Sequence, residues 1–306
     1  MYEETWQENW TTKQAAMKAF LATLGLLAVT AVWGWTFTVV KEAVARFEVV
    51  GFLFWRFLLA SLVMGFWARQ GLSVGLVRDG LLAGSWLAAA YLFQTWGLHY
   101  TSATNCGLIT GLFVVLTPLL QWAVASRAVS AAQWVAAGLS FGGMVLLTGS
   151  GPDPWRVGDG LTVGAALCFA AHIVYLGRVA HRHAASALAA WQFIAVTLIL
   201  AAPLAAEGSI PLPPASVLPA LAITGLLATA AGFFVQTAAQ KILAPTQAAV
   251  IMACESAFAA GFGVWLAGDR LTLPQWLGAA LVTGAAVGVE LFHHRSGSAP
   301  PAENPA

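Results

Sequence analysis

Apolar residues form long, nearly continuous runs along this chain, separated by short polar or proline-containing breaks. The runs are rich in Ala and Leu and hold about 20 residues each, the length that an α-helix needs to cross a bilayer. A membrane β-barrel would instead show short segments of alternating polarity. The pattern predicts an all-α protein with ten membrane-spanning helices, at 19–40, 49–68, 80–99, 103–124, 131–148, 158–178, 187–206, 216–238, 246–267 and 273–292.

The breaks between the runs contain residues that stop a helix. Gly151-Pro152-Asp153-Pro154 separates the fifth span from the sixth, and Pro211-Leu212-Pro213-Pro214 separates the seventh from the eighth. Proline fixes φ and has no N–H to donate, so a helix does not continue through these segments. The polar start of the chain lacks the short basic segment of a signal peptide, which predicts that the first run is a retained span.

Composition and charge exclude most soluble classes of protein. The 306 residues are 59% hydrophobic and only 9% charged, against about 25% charged in an average soluble domain. The net charge of +1 offers no surface for a nucleic acid. No nucleotide-binding or zinc-protease motif is present, and Cys106, Cys168 and Cys254 lie in apolar stretches without metal-ligand spacing. We therefore expect a polytopic protein of the lipid bilayer, without cofactor or metal.

The distribution of Lys and Arg predicts the orientation, because cytoplasmic loops carry an excess of both. With a cytoplasmic N-terminus, nine of them fall inside: Lys13, Lys18, Arg69, Arg78, Arg127, Arg178, Arg182, Lys241 and Arg295. Four fall outside: Lys41, Arg46, Arg156 and Arg270. The count predicts a cytoplasmic N-terminal segment at 1–18 and a cytoplasmic tail at 293–306.

The two halves of the chain resemble each other at an offset of 142 residues. Gln133-Trp134 recurs as Gln275-Trp276, Gly142 recurs as Gly284, and Val129-Ser130 corresponds to Leu271-Thr272. These matches predict two repeats, 19–148 and 158–292, with five spans each. An odd number of spans makes the second repeat enter the membrane from the opposite side. Secondary transporters use such inverted repeats to build a central cavity and to alternate its access, although a duplication kept only for packing is the other interpretation.

Five motifs, in order, resemble the EamA-type branch of the drug/metabolite transporter superfamily. They are AVWGWTFTVVK at 31–41, FWRF at 54–57, ITGLFVVLTP at 109–118, AHIVYLGR at 171–178, and Glu255 followed by GDRL at 268–271. The resemblance covers about residues 19 to 292. It implies ten spans in a five-plus-five inverted arrangement around a central cavity, and export of amino acids or other small metabolites. The chain departs from the family pattern at Ser256, where the family usually has proline.

Ionisable side chains within the spans are candidates for function, because hydrocarbon makes them costly. Glu255 lies in the middle of the ninth span and suits a substrate ammonium, a proton, or a purely structural bond. His172, in the sixth span, is a cavity candidate or a hydrogen-bonding partner of a neighbouring helix. For Arg56 we favour snorkelling to the interface or a structural pair over a substrate carboxylate, and for Lys41 an interfacial anchor.

Amides and aromatic residues complete the candidate substrate site. The offset of 142 relates Gln94 to Gln236 and Asn105 to Gln247, so these amides either surround one central space or form interhelical hydrogen bonds. Trp33 and Phe37 share a helical face. Together with Tyr91 and Tyr175 they are candidates for stacking on an apolar or aromatic substrate.

These observations favour a secondary transporter that exports small metabolites, most simply neutral or aromatic amino acids, across an inner membrane, with possible proton coupling. A nucleotide-sugar or sugar-phosphate carrier is the alternative within transport, but the spans offer few cations for phosphate. An integral-membrane lipid-linked transferase would need clustered carboxylates for a metal, which the spans lack. We therefore expect a transporter and not an enzyme.

Overall fold

The computed structural model describes residues 2–68, 70–101, 103–125, 129–147, 156–262, 264–265 and 270–295. Within these ranges the chain is helical and contains no strand. Five helices are long and apolar enough to cross a membrane, at Gln14–Val44, Val49–Trp67, Val157–Arg182, Ala185–Ala206 and Ala215–Ala239. Shorter apolar helices lie at Phe113–Val124, Ala131–Leu147 and Leu273–Val289. The all-α membrane class is confirmed, and the count of ten spans stays a prediction.

Six helices build the first half: α1 (Tyr2–Val44), α2 (Val49–Trp67), α3 (Val74–Tyr100), α4 (Ala103–Thr110), α5 (Phe113–Ala125) and α6 (Ala131–Leu147). The helix α1 begins well before residue 19, so the polar N-terminal segment is helical as well. The carboxylate of Glu48 starts α2 by accepting the backbone N–H groups of Val50 and Gly51, which have no partner inside the helix.

The second half contains α7 (Val157–Val179), α8 (Ala185–Ala206), α9 (Leu218–Ala222), α10 (Gly232–Ala239), α11 (Pro245–Met252), α12 (Cys254–Phe262) and α13 (Leu273–Arg295). A π-helical segment, Ile223–Ala231, joins α9 to α10. The predicted eighth span is therefore one continuous element with a wider turn in its middle. Such π-helical turns are rare and are found frequently at functional sites.

Two predicted spans are interrupted near their middle. The fourth is divided into α4 and α5 by a turn at Gly111 and Leu112, and the ninth into α11 and α12 by a turn at Ala253. Gly111 and Ala253 are separated by the same 142 residues that relate the two halves of the sequence. Both interruptions thus occur at corresponding positions, and they leave Thr110, Phe113, Met252 and Glu255 at the ends of short helices.

The two halves also use the same cap to start their last helix. Before α6, the Gln133 side chain accepts the N–H of Ser130, with Oε1 3.0 Å from the nitrogen. Before α13, the Gln275 side chain accepts the N–H of Thr272 at 2.8 Å. The offset of 142 residues relates these positions to each other in the sequence. A side chain that accepts the backbone N–H at the start of its helix forms half of a capping box.

The helices α3 and α7 pack along their length and connect the two halves. Gly97 and Gly158 allow their backbones to touch, since a Cβ on Gly158 would lie 2.5 Å from the Gly97 carbonyl oxygen. An aspartate joins the pair at each end. Thr101 donates to Asp159 at 2.6 Å at one end, and Tyr175 donates to Asp79 at 3.2 Å at the other.

The buried apolar residues form two large clusters rather than one. The first surrounds Phe52, Phe57 and Phe193, and the second surrounds Val250, Ile251 and Val282. Trp33 and Phe169 pack against both clusters. An internal cavity lies at the junction of these two cores. The three cysteines are buried and free, in agreement with their interpretation as small apolar residues.

Candidate substrate cavity

A cavity of about 80 Å³ lies between the two cores. Since about 10–15 Å³ of space accessible to a water-sized sphere is enough for one water molecule, the cavity holds several waters or a small organic molecule. The lining includes seven of the residues that the sequence singled out: Trp33, Phe37, Tyr91, Gln94, His172, Gln236 and Glu255. Whether these residues bind a substrate stays a prediction.

The cavity occupies only part of the length of the bundle. The α1 residues in its lining, from Trp33 to Val40, belong to the last third of that helix, and the α3 residues, from Tyr91 to Leu98, lie close to its end at Tyr100. His172 lies two thirds of the way along α7, and Gln236 lies three residues before the end of α10 at Ala239. The lining residues of α1 and α3 therefore lie toward the end of the bundle where these two helices finish.

Glu255 reaches the cavity because two helices approach very closely. It lies in the first turn of α12, directly after the turn at Ala253. A Cβ on Gly34 of α1 would lie 2.7 Å from the Glu255 carbonyl oxygen, so only glycine allows this contact. Among the described residues, the Glu255 carboxylate makes no ion pair or hydrogen bond. The carboxyl group is thus free to meet a ligand.

Arg56 was not among the predicted site residues, yet it lines the same cavity and is only 3% exposed. Its Nε donates to Thr229 at 2.7 Å, its Nη2 donates to Tyr91 at 3.1 Å, and the guanidinium lies 4.7 Å from the centre of the Tyr91 ring. Such burial is incompatible with snorkelling to the interface. Within the described part of the chain no carboxylate lies within ion-pair distance of Arg56, so its hydrogen bonds go to neutral groups.

Aromatic rings form much of the remaining wall. Trp33 packs against Phe233 at 5.2 Å between ring centroids, and Tyr91 contacts Phe169 at 5.6 Å, edge to face. The indole N–H of Trp33 donates to the carbonyl of Ala228 at 2.7 Å. Both Ala228 and Thr229, the partner of Arg56, belong to the π-helical segment. This segment therefore holds two of the side chains that shape the cavity.

Three predicted site residues are not placed in this lining by the structure. Tyr175 lies one turn beyond His172 on α7 and bonds to Asp79 at the end of the bundle. Gln247 is 1% exposed and buried in α11. Asn105 lies in α4, and its side chain is outside the described residues. Among the paired amides whose side chains are described, Gln94 and Gln236 line the cavity and Gln247 does not. Lys41 is exposed near the end of α1, as an interfacial anchor requires.

Asp79 organises a polar cluster at the end of the bundle away from the cavity. Its carboxylate is 1% exposed and accepts hydrogen bonds from Arg78 at 3.0 Å and from Tyr175. The His183 Nε2 atom lies 3.0 Å from its second oxygen, and Lys241 donates to the His183 carbonyl. Burial by itself would raise the pKa of Asp79, but the hydrogen bonds from His183, Arg78 and Tyr175 outweigh it and hold the pKa below its ordinary value.

A helical membrane fold with polar and charged side chains in an internal cavity is typical of polytopic transporters. The model of the EamA-like transporter family matches residues 20–149 and 156–291. The chain therefore belongs to the EamA-like transporter family, and it is a membrane transporter and not an enzyme.

Individual proteins agree with this assignment. An uncharacterized transporter of Archaeoglobus fulgidus is 34% identical over 276 residues, which cover 90% of this chain and 87% of the relative. A second uncharacterized transporter of the same organism is 27% identical over 187 residues, 57% of this chain and 64% of the relative. A solved crystal structure superposes with a TM-score of 0.71 over 94% of this chain and 99% of the other, at 18% identity, which supports the fold alone.

Proposed function

We propose that this transporter exports small neutral amino acids from the cytoplasm across an inner membrane by alternating access. The observation that carries the proposal is the pair of opposite charges in one cavity. Arg56 supplies a buried guanidinium and Glu255 a carboxylate, and no described residue neutralises either of them. A free amino acid carries a carboxylate and an ammonium close together, which complements this arrangement.

The two charges suit the two groups of the zwitterion for different reasons. The guanidinium is planar, always charged and able to bind a carboxylate through two N–H groups, and Arg56 has its Nη1 uncommitted to any described residue. The Glu255 carboxylate accepts hydrogen bonds only, so it recognises an ammonium or exchanges a proton. The cavity of about 80 Å³ suits a small amino acid in this conformation.

The position of the cavity supports an arrangement open toward the outside. With the predicted cytoplasmic N-terminus, α1 and α3 both finish on the outer side, and the cavity extends in that direction. The Asp79 cluster then closes the cytoplasmic end. Rocking of two inverted five-span halves, which the matching caps and interruptions support, would expose the same residues to the other side.

A nucleotide-sugar or sugar-phosphate carrier is less well supported by the lining. Phosphate groups carry at least one full charge and are usually bound by several cations. Arg56 is the one Lys or Arg among the described residues that line the cavity. A single guanidinium balances a carboxylate more closely than a phosphate or diphosphate.

Efflux from proteoliposomes tests the proposal. Vesicles with the purified chain are loaded with each of the twenty labelled amino acids, and release is measured with and without a pH gradient. We expect saturable release of small neutral amino acids, faster than from protein-free vesicles. A dependence on the pH gradient indicates proton coupling, and its absence indicates facilitated export. Release of none of the twenty above the protein-free control would refute the proposed function.

A further inference from the structure

Two chains of hydrogen bonds, called relays below, end at the cavity. In each relay the neighbouring groups determine which atom donates and which accepts. The first runs through Gln192 and His172, and the second through Gln240 and Gln236. All four side chains are at most 3% exposed. Their donors and acceptors can therefore be assigned from their partners, one bond at a time.

The first relay fixes the tautomer of His172. The Thr237 hydroxyl donates to the Phe233 carbonyl at 2.6 Å, so toward Gln192 it can only accept. The Gln192 amide nitrogen donates to Thr237 at 3.4 Å and to the Leu188 carbonyl at 3.3 Å. Rotating the amide by 180° would bring two oxygens together at Leu188, so the orientation is determined.

The Gln192 Oε1 atom is consequently an acceptor, 2.7 Å from His172 Nε2. Because an acceptor needs a donor opposite it, His172 carries its proton on Nε2. The other ring nitrogen, Nδ1, makes no hydrogen bond to a described residue. In the neutral ring it is a lone pair, so His172 contributes an acceptor to the cavity that it lines.

The second relay reaches the same result through different residues. The Gln240 amide nitrogen donates to the carbonyl of Ile173 at 2.8 Å, so its oxygen accepts from Gln236 Nε2 at 3.1 Å. This leaves the Gln236 oxygen, which is buried and has no hydrogen-bond partner among the described residues. A buried amide oxygen without a partner costs free energy comparable to a lost hydrogen bond, which a ligand with N–H groups recovers.

We propose that His172 Nδ1, Gln236 Oε1 and Glu255 form the cavity floor, a set of three acceptors that binds a primary ammonium. Gln192 and Gln240 are positioning residues that keep the first two of these atoms as acceptors. The inference rests on the proposed function and adds the chemical reason for its specificity. Three acceptors match the three N–H groups of an ammonium. A hydroxyl in the same place has one hydrogen to donate, so a 2-hydroxy acid leaves acceptors unpaired and binds more weakly.

The first test measures which ring nitrogen of His172 carries the proton. If Gln192 had only a structural role, it would not determine the position of this proton. Nitrogen-15 spectra of the full chain labelled at histidine are recorded in detergent, and the His172 signals are identified by their absence in His172→Gln. We expect a neutral ring with the proton on Nε2, and a mixture of tautomers in Gln192→Leu. A wild-type ring with its proton on Nδ1 would overturn the proposal whatever the transport activity.

Binding of L-alanine and L-lactate is the second test, since the two probes differ only in the ammonium. We expect the wild type to bind L-alanine at least thirtyfold more tightly, and both Gln192→Leu and Gln240→Leu to reduce this ratio about tenfold. The matched control is Thr197→Val, which removes a buried interhelical bond on the same helix α8, that between Thr197 and Ser61 at 3.1 Å. It should leave the ratio unchanged.

The outcomes separate the two proposals. An unchanged ratio in both glutamine variants, with both proteins folded by thermal unfolding, refutes the role of the relays while amino-acid efflux stands. No L-alanine binding and no efflux of any of the twenty amino acids refutes the proposed function and the ammonium site with it. Efflux together with an Nδ1–H ring at His172 refutes the acceptor floor alone.

Discussion

At the scale of single residues, Arg56 has the largest consequence, because a buried cation without a carboxylate partner is stabilised only by neutral groups. The change Arg56→Lys keeps the charge and loses the planar fork that binds a carboxylate through two bonds. We expect roughly a ten- to hundredfold loss of amino-acid transport at similar expression. Initial efflux rates across a concentration series measure it. Arg46→Lys, at an exposed position, is the control and should transport normally.

Glu255 is the matching anion, and its removal separates recognition from coupling. Glu255→Gln keeps the size and hydrogen-bonding ability and removes both charge and titration. We expect intact membrane expression and at least tenfold slower transport. Loss of binding identifies ammonium recognition, whereas normal binding with lost pH dependence identifies proton exchange. Wild-type rates with unchanged pH dependence would make Glu255 structural and remove the main support for the site.

The sequence indicated which polar side chains line the cavity where one polar group interrupts an apolar span, but not where the rotation of a helix decides which face points inward. Glu255 and His172 needed only their depth to be found. Arg56 lies seven residues into α2, a helix apolar on all sides, and nothing in that sequence indicates which face points inward. Tyr175 is one turn from His172, and that one turn moves its hydroxyl out of the cavity to Asp79.

At the scale of helices, the contact between α3 and α7 depends on two glycines. Gly158→Ala would place a Cβ 2.5 Å from the Gly97 carbonyl oxygen and 2.8 Å from the Thr101 nitrogen, and backbone atoms cannot move aside cheaply. We expect a loss of about 1–3 kcal/mol, because overpacking forces the helices apart. Thermal unfolding in detergent measures it. Gly160→Ala, on an open face of the same helix, should be neutral or slightly stabilising.

Asp79 joins α3 to α7 at the other end of the same helix pair. Because its pKa is shifted, its contribution to the free energy of unfolding depends on pH. It precedes the predicted span at 80–99. Because the folded pKa lies below the ordinary value near 3.8, the carboxylate stabilises the fold above that pH and the contribution disappears as pH falls through the folded pKa. Asp79→Asn should therefore cost about 1–3 kcal/mol at pH 7. The gap between wild-type and variant unfolding temperatures should narrow below about pH 4, and a gap that is constant with pH would contradict this.

Hydropathy predicted where the helices lie but could not predict their internal interruptions. The turns at Gly111 and Ala253 lie within runs whose mean hydropathy stays high, and neighbouring polar residues such as Thr110 and Glu255 do not by themselves predict a turn. Pro118, in the predicted fourth span, lies inside α5 and does not coincide with the turn at Gly111. The π-helical segment is equally invisible, because the number of residues per turn is a property of the backbone and not of side-chain polarity.

At the scale of the whole molecule, composition alone was enough for the class, since so few charged side chains could not cover a soluble protein of this size. The orientation rests on the Lys and Arg count and is open to direct test. Reporter fusions after Trp10 and after Arg295 should both report the cytoplasm. A reporter that finds either position outside would refute the ten-span arrangement and reverse the direction assigned to the cavity.

The packing of α3 against α7 has a consequence for the synthesis of the chain. The ribosome completes α3 about 60 residues before it begins α7, an interval of several seconds at roughly 5–20 residues per second. During that interval the Asp79 carboxylate and the bare backbone at Gly97 have no second-half partner. In a nascent chain released before α7 emerges, this face of α3 therefore has no partner helix. We expect quality-control proteases to remove truncated chains of this length faster than chains that end after α7.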